Sequence, residues 1–122
     1  MKSFLKSFVF AFSGLVQLVK SERNFLVHLI VFCVVCFAGI FFCISVNEWL
    51  IILLISALVI SLEAINSAIE KVCDLYSLEQ NPKIKVIKDI AAGAVLIAAI
   101  FAAIIGSIIF WKYISIIFKL EN

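Results

Sequence analysis

The chain has 122 residues, 66% of them hydrophobic and 15% charged, with one proline, four glycines and a mean hydropathy of +1.26. That balance excludes a disordered chain and is wrong for a soluble globular domain, whose apolar share is about half. A net charge of +2 is too small for binding to nucleic acid. At about 20 residues per crossing, the apolar runs fit three membrane spans and leave no room for a separate soluble catalytic module.

Residues 2–20 read as an amphipathic helix. Successive helical residues are about 100° apart, so Lys2, Lys6, Ser13, Gln17 and Lys20 project within roughly 60° of one another. Phe4, Leu5, Phe8, Val9, Phe12, Leu15, Val16 and Val19 cover the other faces. Such a helix is expected to lie in the membrane interface with its lysines toward anionic headgroups. A cleaved signal peptide is the competing reading, but Gly14 and Gln17 interrupt the apolar core and no small-residue cleavage site follows.

A polar break, Ser21-Glu22-Arg23-Asn24, precedes the first expected span, residues 25–46. Glu22 is the only acid among the first 47 residues, and His28, near the start of the span, reads as an interfacial histidine. A short turn at 45–48 leads into the second span, 49–76, which contains neither proline nor glycine and extends beyond the membrane on the cytoplasmic side. Residues 77–85 are expected to form a cytoplasmic loop carrying Glu79, Asn81, Pro82, Lys83 and Lys85, and residues 86–117 the third span. In that span Ala98, Ala102 and Gly106, and also Ala99, Ala103 and Ser107, recur every fourth residue. Small residues at this spacing allow close helix packing.

The basic residues orient the chain. Lys2, Lys6, Lys20 and Arg23 precede the first span, and Lys71, Lys83, Lys85 and Lys88 fall between the second and third. By the positive-inside rule the amino terminus and the second loop are cytoplasmic, against the smaller vote of Lys112 and Lys119.

The rest of the chain is organised around Glu63-Ala-Ile-Asn66-Ser67-Ala68-Ile69-Glu70-Lys-Val72-Cys-Asp74. Glu63, Asn66, Glu70 and Asp74 fall within roughly 80° of one another on a helix, forming one polar stripe. An acidic group at the bilayer centre costs on the order of 2.5 to 3.5 kcal/mol or more, and is retained where it faces a cavity, a partner or an ion. The bland alternative is a polar contact that glues helices together.

Glu22, Glu70, Asp74, Glu79, Lys88 and Asp89 thus gather at one membrane face, with Glu63 and Asn66 deeper. Phosphoryl transfer needs carboxylates to hold Mg²⁺, cations to neutralise phosphate charge, and a group to orient or deprotonate the attacking hydroxyl. All three are present. The phosphate loop of nucleotide triphosphatases and the glycine-rich loop of protein kinases are both missing, so an ATP site here must have another design. Cys33, Cys36, Cys43 and Cys73 lie in or beside apolar spans and read as small apolar fillers, not as a metal or redox site.

The stripe resembles the signature of the prokaryotic diacylglycerol kinase family, small membrane-embedded lipid kinases. Ser21-Glu22-Arg23-Asn24 with His28 is similar to the motif before that family's first span, and Lys88-Asp89-Ile-Ala-Ala-Gly93-Ala-Val to the start of its third. The resemblance implies an all-α homotrimer of three-span subunits with an amino-terminal interfacial helix, in the bacterial cytoplasmic membrane. It implies ATP and Mg²⁺ at the cytoplasmic face and sites shared between subunits. It also implies Glu63 as the general base for a lipid hydroxyl with Asn66 beside it, and Glu22 and Glu70 as acids holding metal and nucleotide phosphates. Lys88 and Asp89 match a nucleotide-contacting pair, and Glu79 a loop acid that approaches ATP. Asn81 replaces a histidine frequent in that loop. Asn47-Glu48-Trp49, with the Ser-Glu-Arg-Asn block, looks more like the branch acting on undecaprenol than the branch acting on diacylglycerol. A function of another class, a proton or cation pathway lined by a ring of Glu63 carboxylates, leaves the rest of the stripe and the Lys88-Asp89 pair unexplained.

Overall fold

The structure, a computed structural model, describes the backbone of residues 2–76 and 81–120 and the side chains of 4–76 and 81–119. Among the described residues the chain is all helix and turn: α1 (Lys2–Ser21), α2 (Arg23–Phe41), α3 (Val46–Tyr76) and α4 (Pro82–Leu120). By length and composition each of the four is long and apolar enough to cross a membrane. The fold is that of a multi-pass membrane protein.

The expected polar break before the first span narrows to Glu22, the one residue between α1 and α2, with extended backbone at φ −112°, ψ 106°. Its N–H still donates to Leu18 O at 2.8 Å, and its carbonyl accepts from Leu26 N at 3.2 Å. One residue therefore redirects the chain while hydrogen bonding continues on both sides.

The next turn falls earlier than expected. α2 ends at Phe41, not at residue 46, because Cys43 takes up the left-handed region at φ 50°. Cys43 N donates to Ile40 O at 3.2 Å and Ile44 N to Gly39 O at 3.1 Å, the paired bonds of a Schellman C-cap. Cys43 is thus a turn residue and not a filler inside the span. Ser45 then caps α3: its N–H and hydroxyl both donate to Glu48 Oε2, at 2.8 and 2.7 Å. This reciprocal serine–glutamate cap starts α3 at Val46, ahead of the expected residue 49.

The expected start of the last helix is also corrected. Asn81 Oδ1 accepts from Lys83 N at 2.9 Å and Asn81 O from Lys85 N at 3.0 Å. Pro82, whose missing N–H costs nothing at the first helical position, opens α4 four residues before the expected 86, so Lys83 and Lys85 are helical and not in a loop.

α3 is the hub. It packs along α4, against α2, and against the end of α1, while α2 and α4 make no close backbone contact with each other. Its buried face carries Ile52, Val59, Glu63, Asn66, Ser67 and Cys73, so the polar stripe continues the apolar seam by which α3 meets its neighbours. At the α2–α3 turn Ile44, Ile52 and Ile109 form a buried cluster flanked by Phe42, Trp49, Phe110 and Tyr113. Gly39 is required there: a Cβ would come within 2.8 Å of the Trp49 ring and 3.1 Å of Ile44 Cδ1. Glu48 ties the same end to α4, accepting from Tyr113 OH at 2.6 Å and Lys112 Nζ at 2.9 Å. Apolar side chains such as Val34, Phe37 and Ile40 of α2 and Leu54 of α3 stay largely exposed, a surface that lipid or other subunits must cover.

Candidate active site

The site is built from the last four turns of α3. Glu63, Asn66 and Ser67 are only 4%, 5% and 2% exposed. Spacings of three and four put Glu63, Asn66 and Glu70 one above the other, and Asn66 Nδ2 donates to Glu70 Oε1 at 3.2 Å. That bond leaves Asn66 Oδ1 buried with no partner. Such an acceptor is costly unless something meets it.

Two other elements converge on this stripe. The charges that act on Glu63 come from His28, Glu70 and Glu22, so the α1–α2 junction, α2 and α3 supply one electrostatic cluster. Glu22 is engaged by the ammonium of Lys71 on α3. The Lys71 hydrogen bond, opposed by partial burial, holds the Glu22 carboxyl below its ordinary value of 4.5. From α4, Lys88 Nζ donates to Asp74 Oδ1 at 2.6 Å, and the charge of Glu70 also acts on Lys88.

Asn66 thus meets Glu70, Glu22 and Glu70 act electrostatically on Glu63, and Lys88 is held at Asp74 within electrostatic reach of Glu70. Asp89 stands apart: its carboxylate pairs with Lys85, one turn earlier on α4, and its side chain is 62% exposed. Glu79 lies outside the described residues. The alignment on α3 was open to periodicity, but the partners that three residues take were not. Lys71 lies next to Glu70, yet its partner sits on another element. Asp74 was placed in the stripe, but no spacing announces its bond to Lys88. His28, expected as an interfacial histidine, is half-buried, acts electrostatically on Glu63 and lines an apolar cleft.

That cleft, about 590 Å³, opens where α2 and α4 part over α3 and is walled by Phe32, Ile55, Val59, Ala103 and Phe110, with His28 among its few polar members. A smaller cleft of about 360 Å³ separates α1 from α3 and is lined by Gly14, Gln17, Ala68 and Lys71.

The oxygen donors suit a hard cation. Among the described residues no three acidic, histidine or cysteine side chains converge into a ready-made metal cage. Mg²⁺ does not need one, since it is commonly held by one or two carboxylates together with substrate phosphates and water. A buried carboxylate, an orphaned amide oxygen, lysines at the same end of the bundle and an apolar cleft are parts that phosphoryl transfer to a lipid could use.

Comparison with known proteins agrees. Residues 9–110 match the family model described as prokaryotic diacylglycerol kinase. The chain is 42% identical over 107 residues to an undecaprenol kinase of Bacillus subtilis (strain 168), covering 88% of this chain and 87% of that protein. It is 37% identical over 103 residues to a diacylglycerol kinase of Synechocystis sp., covering 84% of this chain and 59% of the longer relative. With its buried polar stripe, its helical fold and these relatives in agreement, the chain belongs to the prokaryotic diacylglycerol kinase family and is a membrane lipid kinase.

Proposed function

We propose that this kinase uses ATP and Mg²⁺ to phosphorylate a membrane lipid alcohol, undecaprenol in the first place and diacylglycerol as the alternative. The observation that carries the reading is the buried pair Glu63 and Asn66 at the edge of an apolar seam. Support for undecaprenol comes from the relative of that name, which is the more similar of the two and is matched over nearly its whole length.

The chemistry follows from the residues. A lipid hydroxyl in the apolar cleft reaches Glu63, which takes its proton as the oxygen bonds to the γ-phosphorus of ATP and the bond to ADP breaks. Asn66 Oδ1, lacking any partner, is free to accept from that hydroxyl and orient it. Lys88 neutralises charge on the phosphates, with Asp89 and Glu79 as further nucleotide contacts. Glu22 and Glu70 would hold Mg²⁺, which when bound offsets phosphate charge. Water is excluded at Glu63 and Asn66, which are almost fully buried, and electrostatic contacts there gain strength.

We place the enzyme in the bacterial cytoplasmic membrane, with α2, α3 and α4 spanning, α1 in the interface, and the site on the cytoplasmic side. The exposed apolar faces are closed in a homotrimer. Phosphate transfer from labelled MgATP by the purified protein in detergent micelles, offered undecaprenol and diacylglycerol in parallel, tests the reading. Label is expected in undecaprenol and is expected to vanish in Glu63→Gln, a loss of about 10²- to 10⁴-fold for removal of a general base. Label in neither lipid from well-folded protein would refute it.

A further inference from the structure

Lys71 has no part in the reaction as described, yet it makes the longest-range link in the site. Its ammonium meets Glu22 Oε1 across 49 positions of sequence, joining α3 to the junction between α1 and α2. The Glu22 side chain is 23% exposed and that of Lys71 46%. Lys71 also lines the cleft between α1 and α3 beside Gly14 and Gln17. Successive residues of α3 thus serve two partners: Glu70 accepts from Asn66, and Lys71 reaches Glu22.

A carboxylate oxygen held by an ammonium is contested by any metal that needs it. Lys71 and a divalent cation at Glu22 are therefore competitors. The contest is uneven, because an ion pair this exposed contributes little, whereas the metal carries twice the charge. Lysine is a compact point charge on a flexible stem, so once displaced it can swing without moving α3. The space next to it is the cleft between α1 and α3. Lys88 differs, since its partner Asp74 is not a proposed metal ligand.

We infer that Lys71 is the counter-ion of Glu22 that the divalent metal displaces, and that the released ammonium then meets the phosphates of the nucleotide. The inference rests on the kinase reading and on Glu22 as a metal-holding acid. It makes Lys71 a nucleotide-binding residue whose availability depends on metal loading, so metal and nucleotide bind with positive coupling.

The test uses the full chain in detergent micelles with Mn²⁺ as the probe, free Mn²⁺ being read by electron paramagnetic resonance. Lys71→Met is expected to bind Mn²⁺ alone about two- to five-fold more tightly, the range set by an exposed ion pair, and Lys71→Arg to behave like the parent. In a Glu22→Gln background Lys71→Met is expected to have no further effect on Mn²⁺. At saturating Mn²⁺, a non-hydrolysable ATP analogue is expected to bind several-fold more weakly to Lys71→Met. Unchanged or weaker Mn²⁺ binding in Lys71→Met, or the same shift in the Glu22→Gln background, overturns the displacement. Unchanged nucleotide affinity overturns the transfer to phosphate. The kinase reading fails separately, by the absence of label in either lipid from a parent protein whose Mn²⁺ site shows the Lys71 effect.

Discussion

Asn66 donates its amide to Glu70 Oε1 at 3.2 Å and leaves its own Oδ1 buried with no partner. A polar residue in that position works against stability, because a buried acceptor without a donor costs about 1 to 3 kcal/mol. Asn66→Leu is therefore expected to leave the melting temperature in detergent unchanged or raised, while lipid phosphorylation falls by about 10²-fold, the scale of losing a positioned group. A variant that unfolds with full specific activity would assign Asn66 to packing instead.

The Glu22–Lys71 pair carries a pH dependence with a definite sign. The carboxyl is held below its ordinary value of 4.5 by the Lys71 hydrogen bond, so its stabilisation is present above that value and is lost as the pH falls through the depressed one. The pair is partly exposed, which limits the effect to a few tenths of a kcal/mol, in the range of about 0.2–1 kcal/mol for exposed pairs. Parent and Glu22→Gln proteins are expected to differ in thermal unfolding near neutral pH and to converge well below pH 4.5. An equal gap throughout would exclude the ion pair as its source.

The turn between α2 and α3 stores a small strain and a tight contact. Cys43 sits at φ 50° in the position that glycine usually fills, at a cost of roughly 1 to 2 kcal/mol for an L-residue. Cys43→Gly is expected to recover about 1 kcal/mol of that. Gly39→Ala drives a methyl within 2.8 Å of Trp49 and is expected to destabilise by about 1 to 3 kcal/mol, with relief when Trp49 is also shortened to Leu. Chemical unfolding of the single and double variants measures both effects.

Glu48 gathers Ser45, Lys112 and Tyr113 at the opposite end of α3 from Asp74 and Lys88. Removing the phenol in Tyr113→Phe takes away the 2.6 Å bond that ties α4 to the capping acid of α3. The melting temperature is expected to drop and the turnover per folded molecule to hold. A selective fall in turnover would mean that this end of the bundle communicates with the stripe near Glu63.

Periodicity along one helix is local, and what depended on it was open to reading from residue types alone. The helical class, the membrane setting and the shared face of Glu63, Asn66 and Glu70 all follow from 100° steps and the cost of burying charge. Helix ends were legible less well: Ser45 with Glu48 and Asn81 with Pro82 carried capping signals, but Cys43 is an unusual residue for a left-handed cap and hid the end of α2. Which partner each charged group takes was decided only in three dimensions. Glu22 could have faced any cation near the interface, and Lys88 any of several acids; the packing of α1, α2 and α4 around α3 selects Lys71 for the first and Asp74 for the second. The Lys85–Asp89 pair, by contrast, is a one-turn neighbour on α4 that spacing along the helix already allows, whereas the parting of α2 from α4 that opens the apolar cleft is again a matter of packing. The Glu22–Lys71 and Lys88–Asp74 pairings and the cleft depend on distances between different helices, and no repeat within a single helix encodes them.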